Sequence, residues 1–139
     1  MRTVLKWLGL GLIAVLLLIQ LVPYGRDHTN PPVDRQIAWD SPRTEQLMND
    51  ACMDCHSNLT HWPWYSNIAP VSWLVQKDVD DGRDKMNLST GGADVSGMVE
   101  AIRDGSMPPW QYKPTHPNAR LSDQEKEELI RGIEATFGD

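Results

Sequence analysis

The stretch Cys52-Met53-Asp54-Cys55-His56 contains both cysteines of the 139-residue chain and one of its four histidines. This C-x-x-C-H spacing is the sequence form of a c-type haem attachment site. Each thiol adds to one vinyl group of the porphyrin, so the two sulfurs must lie about one helical turn apart. The imidazole that follows is then held beneath the iron, where it binds as the proximal ligand. The spacing therefore predicts covalent haem at Cys52 and Cys55, with His56 on the iron.

Two other chemistries use a pair of cysteines at this spacing, namely thiol–disulfide exchange and zinc binding. Neither requires a histidine directly after the second cysteine. A thiol–disulfide oxidoreductase also expects alternating strands and helices around the motif, and this sequence lacks that alternation. Haem-free thiol–disulfide exchange is therefore the less favoured alternative.

The composition is acidic, with 13 Lys and Arg against 19 Asp and Glu and a formal charge of −6. Such a surface repels nucleic acid and favours basic or neutral protein partners. Phe occurs once, whereas Gly and Pro occur ten times each, so the chain has little material for a conventional core. A chain of this size is marginal unless a bound group supplies part of its core. One haem, flanked by some of the six tryptophans, would meet that need.

The N-terminal segment is apolar from residue 4 to residue 22, apart from Lys6 and Gln20. As a helix it would span about 28 Å, close to the ~30 Å thickness of the hydrocarbon layer of a bilayer. A cleaved signal peptide is the alternative, but residues 21–25 offer a poor cleavage site. We expect an uncleaved single-pass anchor in the bacterial cytoplasmic membrane. Because c-type haem is attached outside that membrane, the haem domain is expected on the periplasmic side.

The rest of the chain divides into a proline-rich tether and a helical domain. Pro31 and Pro32 indicate an extended connection. We expect a transmembrane segment over residues 1–24, a tether over 25–41 and a haem domain over 42–139. No stretch shows the alternation typical of a β-strand. The predicted fold is all-α, a small cytochrome c-like helical domain around one haem.

Capping residues and apolar periodicity predict four helices in the haem domain. Ser41 caps a helix over about residues 44–55, which carries the haem motif at its end. Two more run over about residues 69–83 and 94–104, and a capping box at 122–125 begins the last. The apolar faces are predicted at Leu47, Met48 and Ala51, at Val71, Leu74, Val75 and Val79, at Val95, Met98, Val99 and Ile102, and at Leu129, Ile130, Ile133 and Phe137.

An aromatic and proline-broken run, Trp62-Pro63-Trp64-Tyr65, lies between the first two of these helices. It is too irregular for a helix or a strand and suits a loop folded against a flat apolar group. We therefore expect Trp62, Trp64 and Tyr65 to form a wall of the haem pocket.

The second axial ligand is predicted from the stretch around Met107. An electron-carrying haem has two axial protein ligands, and a methionine opposite histidine raises the reduction potential. Met107 follows a predicted helix end and precedes two prolines, which remove helical freedom from the backbone. Met107 is the favoured distal ligand, and His116 is kept as the alternative that would give bis-histidine ligation.

Several stretches together resemble the bacterial haem-binding domain family of small membrane-tethered c-type cytochromes. The similarity covers about residues 25–137 and implies covalent haem through Cys52 and Cys55 with His56 proximal. The stretches are Asn30-Pro31-Pro32-Val33, Cys52 to Asn58, Trp62 to Tyr65, Ala69-Pro70-Val71-Ser72-Trp73-Leu74, Gly82-Arg83, Gly105 to Pro109, His116-Pro117 and Leu121-Ser122.

The function expected from these features is one-electron transfer by a periplasm-facing monohaem cytochrome c. Its partners would be redox proteins and the membrane, and it would convert no substrate. A haem-based sensor is a second hypothesis, in which Met107 is absent from the iron or is displaced by a diatomic gas.

Overall fold

The computed structural model describes residues 1–138, which contain α-helices and 3₁₀ turns and no β-strand. The α-helices are α1 Arg2–Leu18, α2 Pro42–Ala51, α3 Met53–His56, α4 Val71–Lys85, α5 Val95–Arg103 and α6 Asp123–Phe137. Short 3₁₀ helices cover Ile19–Leu21, Trp64–Asn67 and Pro117–Ala119. The all-α fold predicted from the sequence is confirmed.

The chain separates into two compact units. The first unit comprises Met1–Thr29 and Trp62–Asp80, and the second comprises Asn30–His61 and the chain from Asp81 onward. The helix α4 belongs to both, since it runs through residue 80. The limits expected at residues 24 and 41 stay a prediction.

In the first unit, α1 and the 3₁₀ turn after it form an apolar helix of 20 residues, Arg2–Leu21. Its mean hydropathy is 2.2 and its most apolar stretch has no buried residue. Twenty helical residues extend about 30 Å, the thickness of the hydrocarbon layer. By length and composition this segment can be a membrane anchor or a signal sequence.

The end of this helix is bound to the chain just before α4. The Gln20 amide donates to the carbonyl oxygen of Ala69 at 2.9 Å and accepts from the Ala69 N–H at 3.0 Å. Arg26 in turn donates to the Gln20 amide oxygen at 2.9 Å. Gly25 has a φ of +79° and lies so close to the Ser72 carbonyl that any side chain there would overlap it. Residues 20–26 are therefore folded against the beginning of α4.

The hydrophobic core of the second unit lies where α6 packs against α2 and α5. It consists of ten buried side chains: Leu47, Met48, Met53, Leu88, Met98, Val99, Ile102, Leu129, Ile130 and Ile133. Trp39 and Phe137 extend this core with an edge-to-face contact at 5.7 Å between ring centroids.

The predicted starts and apolar faces of α2, α5 and α6 agree with this core. The Ser41 hydroxyl accepts the Thr44 N–H at 3.2 Å and caps α2. Ser122 and Glu125 form the predicted capping box at the start of α6. The inward residues of the three helices are buried, except for Val95 and Phe137, which are half-buried and pack against the core.

Two predictions about the helices are wrong. The first helix does not reach the end of the haem motif, because Cys52 leaves helical geometry with φ −129° and α3 begins as a separate turn. On α4, Val79 is buried, but Val71 and Leu74 are exposed. The protein-covered face of α4 instead carries Ser72, Val79 and Gly82, because small residues at two of these positions allow close approach of neighbouring backbone.

Candidate haem site

The haem motif forms a single tight turn in the second unit. The Cys52 carbonyl oxygen accepts the N–H of Cys55 at 3.2 Å and the N–H of His56 at 3.0 Å. Side chains three and four residues apart on such a turn lie on the same side. Cys52 lies at the N-cap of α3, and Cys55 and His56 lie within it, so one turn carries the three sequence-predicted attachment residues.

The His56 imidazole is oriented by one backbone carbonyl. Its Nδ1 lies 3.2 Å from the carbonyl oxygen of Met86. Because a carbonyl oxygen can only accept, Nδ1 carries the proton and Nε2 keeps its lone pair. Leu88 N–H donates to the His56 carbonyl at 2.9 Å and fixes the backbone of the same residue. This is the tautomer and support that a metal-ligating histidine requires.

A cavity of about 380 Å³ in the second unit brings three of the predicted residues together. Cys52, His56 and Met107 all line it. Met86 and Met98 contribute to its apolar wall. The volume falls within the ~300–1,000 Å³ of small-molecule and cofactor sites. Met107 is 40% exposed, so it lies near the mouth of the cavity.

The residues around this cavity fit a haem. A neutral imidazole and a thioether are the pair of axial ligands found in cytochromes c, and a haem carries large apolar faces. Cys55 lies outside the cavity lining and packs against Gly82 of α4, where an ideal Cβ would come within 2.5 Å of the Cys55 carbonyl oxygen. The close passage of α4 at Gly82 therefore holds the backbone of the haem motif.

The thiol of Cys52 is held in its neutral form. Burial, and to a lesser extent the neighbouring Cys55, raise the pKa of Cys52 to about 12. Thiolates that exchange disulfides have a lowered pKa instead. Among residues 1–138 no group of three or more His, Cys, Asp and Glu side chains is placed to hold a metal ion. A structural zinc site, which needs four ligands, is therefore not supported by the described part of the chain.

Asp54, the residue inside the motif, is a hydrogen-bonding centre that sequence reasoning missed. Its carboxylate accepts the hydroxyl of Tyr112 at 2.7 Å and the N–H of His61 at 2.9 Å. Its carbonyl oxygen accepts the hydroxyl of Thr60 at 2.6 Å. Burial and the bond to Asp54 raise the pKa of Tyr112, so its phenol remains a donor. The middle positions of C-x-x-C-H are not specified by the attachment chemistry, so no sequence signal pointed to Asp54.

His116, the alternative distal ligand, lies against Tyr112 rather than along the cavity. The two rings stack with centroids 3.6 Å apart and planes at 5°. His116 Nδ1 is 3.0 Å from the Tyr112 carbonyl oxygen, and its Nε2 is 4.0 Å from the Asp54 carboxylate. His116 is not among the residues that line the cavity. This arrangement favours Met107 over His116, although the ligand assignment stays a prediction.

The aromatic run belongs to the first unit. Trp62 stacks on His28 with ring centroids 4.7 Å apart, and His28 Nε2 also bonds to Ser66. Tyr65 meets Trp64 edge to face at 5.8 Å, and Trp64 is largely exposed. The proposed wall of Trp62, Trp64 and Tyr65 against the haem stays a prediction.

The loop after the motif is fastened by Arg83, which lies one residue past Gly82 on α4. Its Nε donates to the carbonyl oxygen of Ser57 at 2.9 Å. Its Nη2 donates at 2.9 Å to both the Asn30 side-chain oxygen and the Thr60 hydroxyl. The separate stretches at 30–33, 52–58 and 82–83 that carry the family resemblance thus meet around this loop.

A scan against protein-family models matches the chain to the haem-binding domain family over residues 14–135. Searches of curated proteins and of solved structures found no match. The family match covers most of the chain and agrees with the all-helical fold and with the cavity at His56. The chain therefore belongs to the haem-binding domain family.

Proposed function

We propose that the protein is a monohaem c-type cytochrome that transfers single electrons on the extracytoplasmic side of a bacterial membrane. It converts no substrate, and its partners are redox proteins. The observation that carries this proposal is the common cavity of Cys52, His56 and Met107, with His56 Nε2 left free of its proton.

Each residue of the candidate site has a distinct role toward the haem. Cys52 and Cys55 would hold the porphyrin through thioethers, and His56 Nε2 and the Met107 thioether would serve as ligands to the iron. Haem supplies the one-electron couple between Fe(II) and Fe(III). The Met86 carbonyl accepts the Nδ1 proton of His56 and so orients the imidazole. Met86 and Met98 line the same cavity and would pack against the apolar faces of the haem.

Retention of the N-terminal helix is supported by the hydrogen bonds that join the end of this helix to the chain before α4. Gln20 makes paired hydrogen bonds to the backbone of Ala69, and Arg26 bonds to Gln20. Cleavage between Leu21 and Gly25 would remove Gln20 and leave both polar groups of Ala69 without these partners. A permanent anchor keeps this arrangement, whereas a signal peptide would discard it.

A haem sensor is the second candidate, favoured by one observation. Met107 is 40% exposed and lies at the cavity mouth, so a diatomic ligand could displace it with little rearrangement. Thiol–disulfide exchange is disfavoured, because the pKa of Cys52 is raised rather than lowered.

The attachment is tested by extraction with acidified acetone after maturation with the haem-attachment machinery. The wild-type protein is expected to retain its haem, and the Cys52→Ser/Cys55→Ser double variant to release it. Release from the wild-type protein would contradict covalent attachment. Rapid CO binding by a high-spin resting form would favour the sensor over the electron carrier.

A further inference from the structure

An exposed apolar surface in the first unit has no protein partner in the described chain. It consists of Trp64, Ile68, Val71 and Leu74, whose exposed fractions are 77%, 46%, 41% and 46%. Large exposed apolar surfaces on a folded protein mark interaction sites.

The surface adjoins the end of the apolar N-terminal helix. Ala69, which Gln20 binds through both of its backbone groups, lies directly after Ile68. Ser72, which Gly25 contacts, lies directly after Val71. Ala69 and Ser72 thus contact the end of the N-terminal helix and the chain that follows it, whereas Ile68 and Val71, directly before them, are exposed. Two of the four exposed side chains, Ile68 and Val71, thus each precede a residue that the juxtamembrane chain contacts.

The exposed face of α4 changes character along its axis. Its first positions, Val71 and Leu74, are apolar, whereas Lys77 and Asp80 further along are charged and exposed. From Leu74 to Asp80 the helix rises about 9 Å, at ~1.5 Å per residue. The apolar positions of the exposed face are thus confined to the first turn of α4. The change is the one expected for a helix that begins in the membrane interface and leaves it.

Aromatic residues support the same assignment. Trp64 and Tyr24 are exposed in this unit, and tryptophan and tyrosine are enriched at the level of the lipid headgroups. We propose that Trp64, Ile68, Val71 and Leu74 form a second membrane contact, inserted into the headgroup region of the bilayer that the N-terminal helix spans. This inference rests on the proposed function only through the retained anchor. It predicts that the first unit is held at the lipid surface rather than on a free tether.

Site-directed spin labels in the full-length protein, reconstituted in phospholipid nanodiscs, test this contact. Single cysteines are introduced by Ile68→Cys and Leu74→Cys, with Asp80→Cys as a matched position on the same helix. Val15→Cys reports the anchor itself, and the parent protein reports background labelling of Cys52 and Cys55. Collision rates are measured with oxygen, which concentrates in lipid, and with a water-soluble nickel chelate.

Labels at Ile68 and Leu74 are expected to show an oxygen-to-nickel collision ratio several-fold higher than the label at Asp80. If Val15 lies in lipid while Ile68 and Leu74 match Asp80, the second contact is wrong and the anchor stands. If Ile68 and Leu74 are shielded from both reagents, a protein covers the surface and the lipid proposal is overturned. If the label at Val15 has the low oxygen-to-nickel ratio of a water-exposed site, the N-terminal helix does not span the bilayer. Both the anchor and the second membrane contact are then wrong.

Discussion

The proton on His56 Nδ1 is directed at the carbonyl oxygen of Met86, 3.2 Å away, and this one contact sets the chemistry of the imidazole. With Nδ1 as donor, Nε2 is the only ring nitrogen that can bind a metal. At the residue scale the site therefore depends on backbone geometry as much as on the motif. Leu88, which bonds to the His56 carbonyl, and Met86 both lie in the chain that follows α4.

Tyr112→Phe tests whether Asp54 holds the haem motif in place. The substitution removes the 2.7 Å hydrogen bond to the Asp54 carboxylate and leaves the ring. Hydrogen bonds to charged groups contribute about 1.5–3 kcal/mol, so we expect the free energy of unfolding to fall by about that amount. Urea unfolding of the haem-loaded protein measures it.

The matched control is Tyr24→Phe, because the Tyr24 side chain is exposed. It is expected to change the free energy of unfolding by less than about 0.5 kcal/mol. Equal unfolding midpoints for the wild-type protein and both variants would show that the bond between Tyr112 and Asp54 contributes no stability.

The site residues that the sequence predicts are those whose chemistry is local, and their roles at the haem stay predictions. Cys52, Cys55 and His56 follow from spacing alone, and Met107 from its position after a helix and before two prolines. Asp54 and Tyr112 are 58 positions apart, and a contact at that separation leaves no pattern in one sequence. The Met86 carbonyl belongs to the backbone, which every residue shares, so its role could not be read from residue types.

At the scale of elements, α4 shows what apolar periodicity can and cannot predict. The spacing of Val71, Leu74 and Val79 correctly indicated a helix, since α4 covers all three. Periodicity does not tell which solvent an apolar face meets, and the face at Val71 and Leu74 is uncovered by protein. The break at Cys52 was likewise missed, because cysteine carries no strong signal for ending a helix.

Gly82→Ala tests the role of α4 in supporting the motif. A Cβ at this position would lie 2.5 Å from the Cys55 carbonyl oxygen, so α4 or the motif must shift. Overpacking of this kind costs about 1–3 kcal/mol. We expect a lower free energy of unfolding and a lower yield of haem-loaded protein, measured by urea unfolding and by haem absorbance per mole of chain.

Gly92→Ala serves as the control for Gly82→Ala, because a Cβ at Gly92 meets nothing within 4 Å. It is expected to leave both quantities close to the wild-type values. If Gly82→Ala also leaves them unchanged, α4 does not hold the motif.

At the scale of the whole molecule, the all-α class could be predicted because no stretch of the sequence shows strand alternation. The resemblance to the haem-binding domain family is confirmed by the family match. The extended tether predicted over residues 25–41 begins with Gly25, which lies against the Ser72 carbonyl, and with Arg26, which donates to Gln20. The hydrogen bond between the Gln20 side chain and the Ala69 backbone joins residues 49 positions apart. Amino-acid composition cannot predict a contact at that separation.

We propose that the iron of one covalent haem is bound by His56 and Met107. The most direct test of this proposal is the absorption spectrum and reduction potential of the ferric full-length protein, compared with Met107→Ala and His116→Ala. The wild-type protein and His116→Ala are predicted to show the weak near-red band of a methionine–iron bond. Met107→Ala is predicted to lose that band and to have a lower potential, within the ~0.8 V range that axial ligands set. A wild-type spectrum that persists in Met107→Ala but is lost in His116→Ala would show that His116, and not Met107, binds the iron.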